Sequence, residues 1–171
     1  HFSRTMAREP QLAGAIARTF HALHSEEMRI VQQSTMDDLL GQLTRHSQWR
    51  KRLPSHLQST AVAHRARDYL HAHMGENIGL SDLARETDTD RFTLTRCFKR
   101  EFHLSPHAWL IQLRLANARS MLARGEQPAS VAAALGFADQ SHLGRWFQRA
   151  YRLSPAYYRK LCTNLPDDIN K

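Results

Sequence analysis

The chain is poor in the residues that staple or punctuate a fold. Its 171 residues include two cysteines, seven glycines and six prolines, and aromatics make up 8%. Cys97 and Cys162 form no CxxC pattern, so a disulfide framework does not fit and a reducing compartment does. There is no Asn-Gly or Asp-Gly turn and no sustained apolar–polar alternation, so strands have little support. No apolar run approaches the ~20 residues that span a bilayer, and no apolar segment follows a basic start. That argues against membrane insertion and a signal peptide. An initiating Met is also missing, which suggests a fragment whose N-terminal part lies elsewhere.

Acidic residues are scarce too. Lys and Arg number 24 against 16 Asp and Glu, giving a net charge of +8 and a pI of about 10.2. Residues 1–58 hold 8 basic against 5 acidic residues, whereas residues 91–160 hold 12 against 3. An excess gathered in one stretch favours a face that binds a polyanion.

What is present is helical spacing. Leu12, Ile16, Phe20 and Leu23 form one apolar stripe. Ser25 is expected to open a second helix, running to about His46, with Met28, Val31, Leu39 and Leu43 on one face. These two stripes need a further partner, either a missing domain or a second copy. Residues 47–58 contain Pro54 and the run Arg50, Lys51, Arg52, and read as a linker. Ser59 or Thr60 can cap a helix carrying Val62, Ala66, Tyr69, Leu70 and His73, with Gly75 as a left-handed stop. Ser81 reads as an N-cap with an acidic first turn. Asp90 starts a helix with Leu94, Phe98 and Phe102. Ser105-Pro106 caps a long helix to Gly125 carrying Trp109, Leu110, Leu113, Ala116, Ala118 and Leu122. Pro128 opens a short helix stopped by Gly136. Asp139 begins a helix with Leu143, Trp146, Phe147 and Tyr151, and Ser154-Pro155 a last short one.

Two of these segments match. Residues 96–106 lie over residues 145–155 with Arg, Phe, Arg, Leu, Ser and Pro identical, and the same offset of 49 pairs Leu94 with Leu143 and Asp90 with Asp139. Further back, Leu83-Ala84 pairs with Val131-Ala132 at offset 48, so the second turn is one residue longer. The pattern in each copy is a short helix with small residues, a tight turn, and a second helix with an apolar face and a polar face. That is a duplicated helix-turn-helix. Two copies are too few for a solenoid.

The polar faces carry the chemistry. Copy one presents Arg91, Thr93, Thr95, Arg96 and Lys99, and copy two presents Gln140, His142, Gly144, Arg145 and Gln148, with Ser141 and Arg149 beside them. Such side chains at the front of a helix read base edges, Arg pairing with guanine and Gln with adenine. Phe92 is expected on a thymine methyl or a sugar. A helix from Pro106 to Arg124 spans roughly 28 Å. Successive major-groove faces lie about 34 Å apart. Such a spacer suits the reading of two adjacent sub-sites.

The chain resembles the DNA-binding region of the AraC/XylS family of bacterial regulators. The resemblance rests on Leu80-Ser81-Asp82-Leu83-Ala84, on Leu94-Thr95-Arg96-Cys97-Phe98-Lys99, and above all on the run from Val131 to Phe147. Ser154-Pro155-Ala156-Tyr157-Tyr158-Arg159 fits as well, and the match covers about residues 60–161. It implies an all-α fold of two helix-turn-helix subdomains joined by a long linker helix. It implies base contacts from Phe92, Thr95, Arg96, Gln140, Ser141, His142 and Arg145. It also implies recruitment of RNA polymerase and a preceding effector-sensing domain with dimerising helices, which residues 9–47 resemble. Gly144 and Gln148 depart from the family's usual Ser/Thr and Lys, which weakens the expected second-site contacts. The expected organisation is a helical segment over 1–47, a linker over 48–58, the tandem domain over 59–162 and a polar tail over 163–171.

An enzyme is the rival class. The eleven histidines do not form a ligand set. His71 and His73 point to different faces of a helix, Ser105-Pro106 separates His103 from His107, and no Cys or carboxylate joins His21 and His24. No cofactor, metal or catalytic residue is expected. A DNA-repair enzyme would need a catalytic domain outside this chain. A protein-only interaction module leaves the basic stretch unexplained. The expected partner is double-stranded DNA, without a membrane, in the bacterial cytoplasm at the nucleoid.

Overall fold

The computed structural model describes residues 10–25, 27–43 and 56–164. Arg50, Lys51 and Arg52 and most of the expected linker and tail lie outside them. The described residues are all-helical, and two compact units divide them. Of the described residues, the first holds 10–25, 27–43, 56–73 and 77–109, and the second holds 74–76 and 110–164.

In the first unit α1 (Pro10–His24), α2 (Arg29–Leu43), α3 (His56–Ala72), α4 (Leu80–Glu86) and α5 (Arg91–Phe102) precede α6 (Pro106–Ala123), whose first turn belongs here. The helix-turn-helix is α4–α5, with α3 packed on both. Val62, Ala63, Ala66 and Leu70 of α3 face Leu83, Leu94, Cys97 and Phe98, all buried. Phe98 stacks at a tilt on Phe102 at 4.7 Å and meets Trp109 edge-on at 6.3 Å. Each fully buried Leu or Phe contributes roughly 1.5–3 kcal/mol relative to exposure. Asp90 caps α5 as expected, accepting from the Thr93 backbone N–H at 3.0 Å.

Several local expectations change. α4 begins one residue before Ser81, at Leu80, with Gly79 as its N-cap. The Asp82 carboxylate accepts the Gly79 N–H at 2.9 Å, so the cap comes from inside the helix. Ser25 does not open α2, because its hydroxyl donates back to the His21 carbonyl at 2.7 Å and closes α1. α3 starts at His56, inside the expected linker.

The N-terminal pair departs most. α1 packs on α2 through Ala15, Thr19 and Ala22, and the Thr19 hydroxyl donates to the Thr35 carbonyl at 2.9 Å. Small residues bring the two backbones close. The Ile16, Phe20 and Leu23 stripe therefore faces outward, 51%, 64% and 46% exposed. Within the chain, α2 also packs on α4 and α5.

The second unit repeats the plan with α6, α7 (Pro128–Ala134), α8 (Gln140–Tyr151) and α9 (Pro155–Thr163). Leu110, Ile111, Leu115, Ala118, Leu122, Val131, Leu143 and Phe147 are its core. Four residues separate α4 from α5 and five separate α7 from α8, which is the longer second turn read from the sequence. The left-handed residue of the turn is Asp88 in copy one (φ 50°) and Gly136 in copy two (φ 70°), again 48 apart. Both second helices end on a left-handed residue, His103 (φ 57°) and Arg152 (φ 61°), 49 apart.

The duplication extends further back than the matched residues. Arg65 of α3 donates to the Thr87 carbonyl in the first turn at 3.0 Å. Arg114 of α6, 49 positions later, donates to the Gly136 carbonyl in the second turn at 2.7 Å. Arg114 also donates to the Met74 and Glu76 carbonyls, both at 2.7 Å. Its guanidinium lies 5.9 Å from the centre of the Phe137 ring and the residue is 0% exposed. Burial pushes it down to about 10, where it stays charged at neutral pH. Gly75 is not a left-handed stop. It is needed because a Cβ there would lie 2.8 Å from the Ala134 carbonyl oxygen.

Candidate nucleic-acid interface

The exposed faces of α5 and α8 hold most of the expected reading residues. On α5, Phe92, Arg96 and Lys99 are exposed and Arg91 and Thr95 half-buried. On α8, Gln140, Ser141, Arg145, Gln148 and Arg149 are exposed, and the Arg149 guanidinium sits 5.6 Å from the centre of the Trp146 ring. Gly144 has nothing within 4 Å of a built Cβ, so its face of α8 is open.

Two expected readers lie elsewhere. Thr93 is buried, its hydroxyl donating to Asp90 at 2.9 Å, so it belongs to the N-cap. His142 is 0% exposed. Its Nε2 accepts the Trp146 indole N–H at 2.9 Å, and the Phe137 ring meets it edge-on at 5.6 Å. Both positions follow an Asp N-cap by three residues, where the helix turns back toward its own core.

The electrostatics of the two faces differ. On α5, Arg91 pairs with Asp37 of α2 at 3.4 Å and Lys99 with Asp38 at 3.0 Å. Asp37 is 4% exposed. Burial pushes its carboxyl up, and Asp38 adds to the rise while Arg91 opposes it. Arg145 on α8 makes no ion pair among the described residues. No group of three or more His, Cys, Asp or Glu able to hold a metal occurs among the described residues.

A family described as a helix-turn-helix domain matches residues 83–161, which takes in both turns and helices α5 and α8. Solved structures agree in fold. The chain superposes on an AraC-type regulator of Chromobacterium violaceum with a TM-score of 0.56 at 22% identity, covering 63% of this chain and 97% of that one. Residues 83–161 carry a helix-turn-helix domain. The domain is also similar to the DNA-binding domain of AdpA, solved with its target DNA, at 27% identity and a TM-score of 0.55, covering 58% of this chain and 90% of that one. Among curated relatives, the HTH-type transcriptional regulator YbfI of Bacillus subtilis is 28% identical over 84% of this chain. The chain spans 52% of that protein's length.

Proposed function

We propose that this domain is of the AraC type, binds double-stranded DNA sequence-specifically and forms the DNA-reading part of a bacterial transcription regulator with no catalytic role. The observation that carries this reading is the duplicated exposed face. Arg96 on α5 and Arg145 on α8 stand 49 residues apart, each on the second helix of a helix-turn-helix. Phe92, Thr95, Arg96 and Lys99 read one sub-site, and Gln140, Ser141, Arg145 and Gln148 an adjacent one. Arg91 and Arg149 hold phosphate. The bound protein in the AdpA structure is a relative of the same domain type.

The wider regulator follows the same line. An effector-sensing domain precedes this segment, RNA polymerase is a contact of the bound complex, and the protein works at the nucleoid in the cytoplasm. The outward stripe of Ile16, Phe20 and Leu23 on α1 supports a homodimer through residues 9–47.

Selection of bound duplexes from a random pool tests the reading. A recovered motif with two half-sites about one helical turn apart is expected. Affinity is expected to fall with salt at a log–log slope of about −0.9 per neutralised phosphate. A pool that shows no enrichment overturns the assignment.

A further inference from the structure

The face of α5 that is to meet DNA already has a neighbour, and that neighbour is acidic. Arg91, Thr95 and Lys99 stand at i, i+4 and i+8, along one edge of the helix. Asp37 of α2 faces the first at 3.4 Å and Asp38 the last at 3.0 Å. The Thr95 hydroxyl between them is buried. The N-terminal end of α2 meets α4 in the same way, where Arg29 pairs with Asp82 at 3.7 Å and Gln33 donates to Ser81 at 3.5 Å.

The quality of this contact distinguishes it from core packing. The hydroxyls of Ser34 and Thr95 and both Asp37 carboxylate oxygens are buried without a hydrogen bond among the described residues. Asp37 is held by Arg91 at ion-pair distance alone. Buried polar groups left in that state cost free energy, so the contact is one that the protein can give up. What α2 offers α5 is two carboxylates on two cations, the same charge complementarity that phosphate oxygens would offer. α8 shows no such neighbour at Arg145 among the described residues.

We propose that α2 is a built-in competitor of DNA. With α2 docked, Asp37 and Asp38 occupy Arg91 and Lys99 and cover Thr95, and α5 reads its sub-site only after α2 has left. The second copy stays open throughout, so DNA binding begins on α8. This inference rests on α5 being a DNA-reading helix, and it adds that the same face is occupied in the absence of DNA.

The test uses the whole chain and the duplex recovered from the random pool. The variant Asp37→Asn/Asp38→Asn is expected to bind about tenfold more tightly than the control Asp68→Asn/Glu126→Gln, which removes the same charge from surface positions away from α2. Asp38→Asn alone, at a half-exposed position, is expected to show a smaller gain in the same direction and covers the case in which Asp37→Asn disturbs folding. Amide hydrogen exchange over residues 29–43 of the unmodified chain is expected to speed up when the duplex is added. Equal affinity of the α2 variants and the control, or unchanged or slower exchange, overturns the competitor. Failure of every variant to bind any duplex overturns the DNA-reading assignment itself, and the competitor with it.

Discussion

In both copies an arginine on the preceding helix reaches into the helix-turn-helix and binds a turn carbonyl, yet the two arginines live in different surroundings. Arg65 is exposed and makes a single 3.0 Å bond to its turn, at Thr87. Arg114 is fully buried, makes three bonds of 2.7 Å, and has Phe137 across its guanidinium. The turn residues differ to match. Asp88 accepts the left-handed conformation in the open turn, whereas a Cβ at Gly136 would meet the Gly75 carbonyl oxygen at 2.5 Å. One architectural element therefore serves as a surface tie in copy one and as a core element in copy two. A duplicated fold can keep its geometry while changing where its stability resides.

The largest expected effect separates those two arginines. Arg114→Ala leaves three part-buried carbonyls without their donor and empties the space of a fully buried side chain, and is expected to cost about 3–5 kcal/mol. Arg65→Ala is expected to cost about 0.5–1.5 kcal/mol, the value of one partly exposed bond. Denaturant titration of the two variants checks this, and equal losses would erase the contrast. On the reading faces the copies should behave alike. Arg96→Ala and Arg145→Ala are each expected to weaken duplex binding by roughly 1–3 kcal/mol and to relax specificity at different half-sites. Binding titrations against duplexes altered in one half-site at a time distinguish them. Smaller still are the N-caps. Asp90→Ala and Asp139→Ala are each expected to destabilise by about 1 kcal/mol, read as a shift in denaturation midpoint. The smallest change has the opposite sign. Gly144→Ala, in open space on α8, is expected to stabilise by roughly 0.5–1 kcal/mol. A loss in the melting experiment would show that α8 is tighter at that point than its geometry allows.

The repeat itself was legible because offsets are conserved along the chain. Leu94 with Leu143, Phe98 with Phe147 and Asp90 with Asp139 mark both helices and their starts without any three-dimensional knowledge. The unequal turn was legible for the same reason. Arg65 and Arg114 obey the same offset, but a lone basic residue in a helix reads as surface, and only the structure shows one of them sealed. Thr93 and His142 were placed outward because their residue types suit base edges. Three residues past an Asp cap, the helix has already turned them inward. The stripe on α1 reads as a face in need of a partner, and Ile16, Phe20 and Leu23 are exposed in the chain by itself. Periodicity identifies a face but not its partner, and Ala15, Thr19 and Ala22 allow a closer approach than leucines would. The contact of α2 with α5 joins residues about 60 positions apart, beyond the reach of any local pattern.

The longer second turn also sets where this domain can be cut and rejoined. Asp88 and Gly136 are 48 apart but the Asp caps are 49 apart, so the extra residue enters between the left-handed position and the cap. Phe137 lies in that stretch and closes over Arg114. A chimera that transplants α8 with its Asp139 cap alone would carry the reading side chains and leave the lid over the arginine behind. The exchangeable cassette in copy two runs from Arg114 through Tyr151, whereas in copy one the α5 helix and its Asp90 cap form a cassette by themselves.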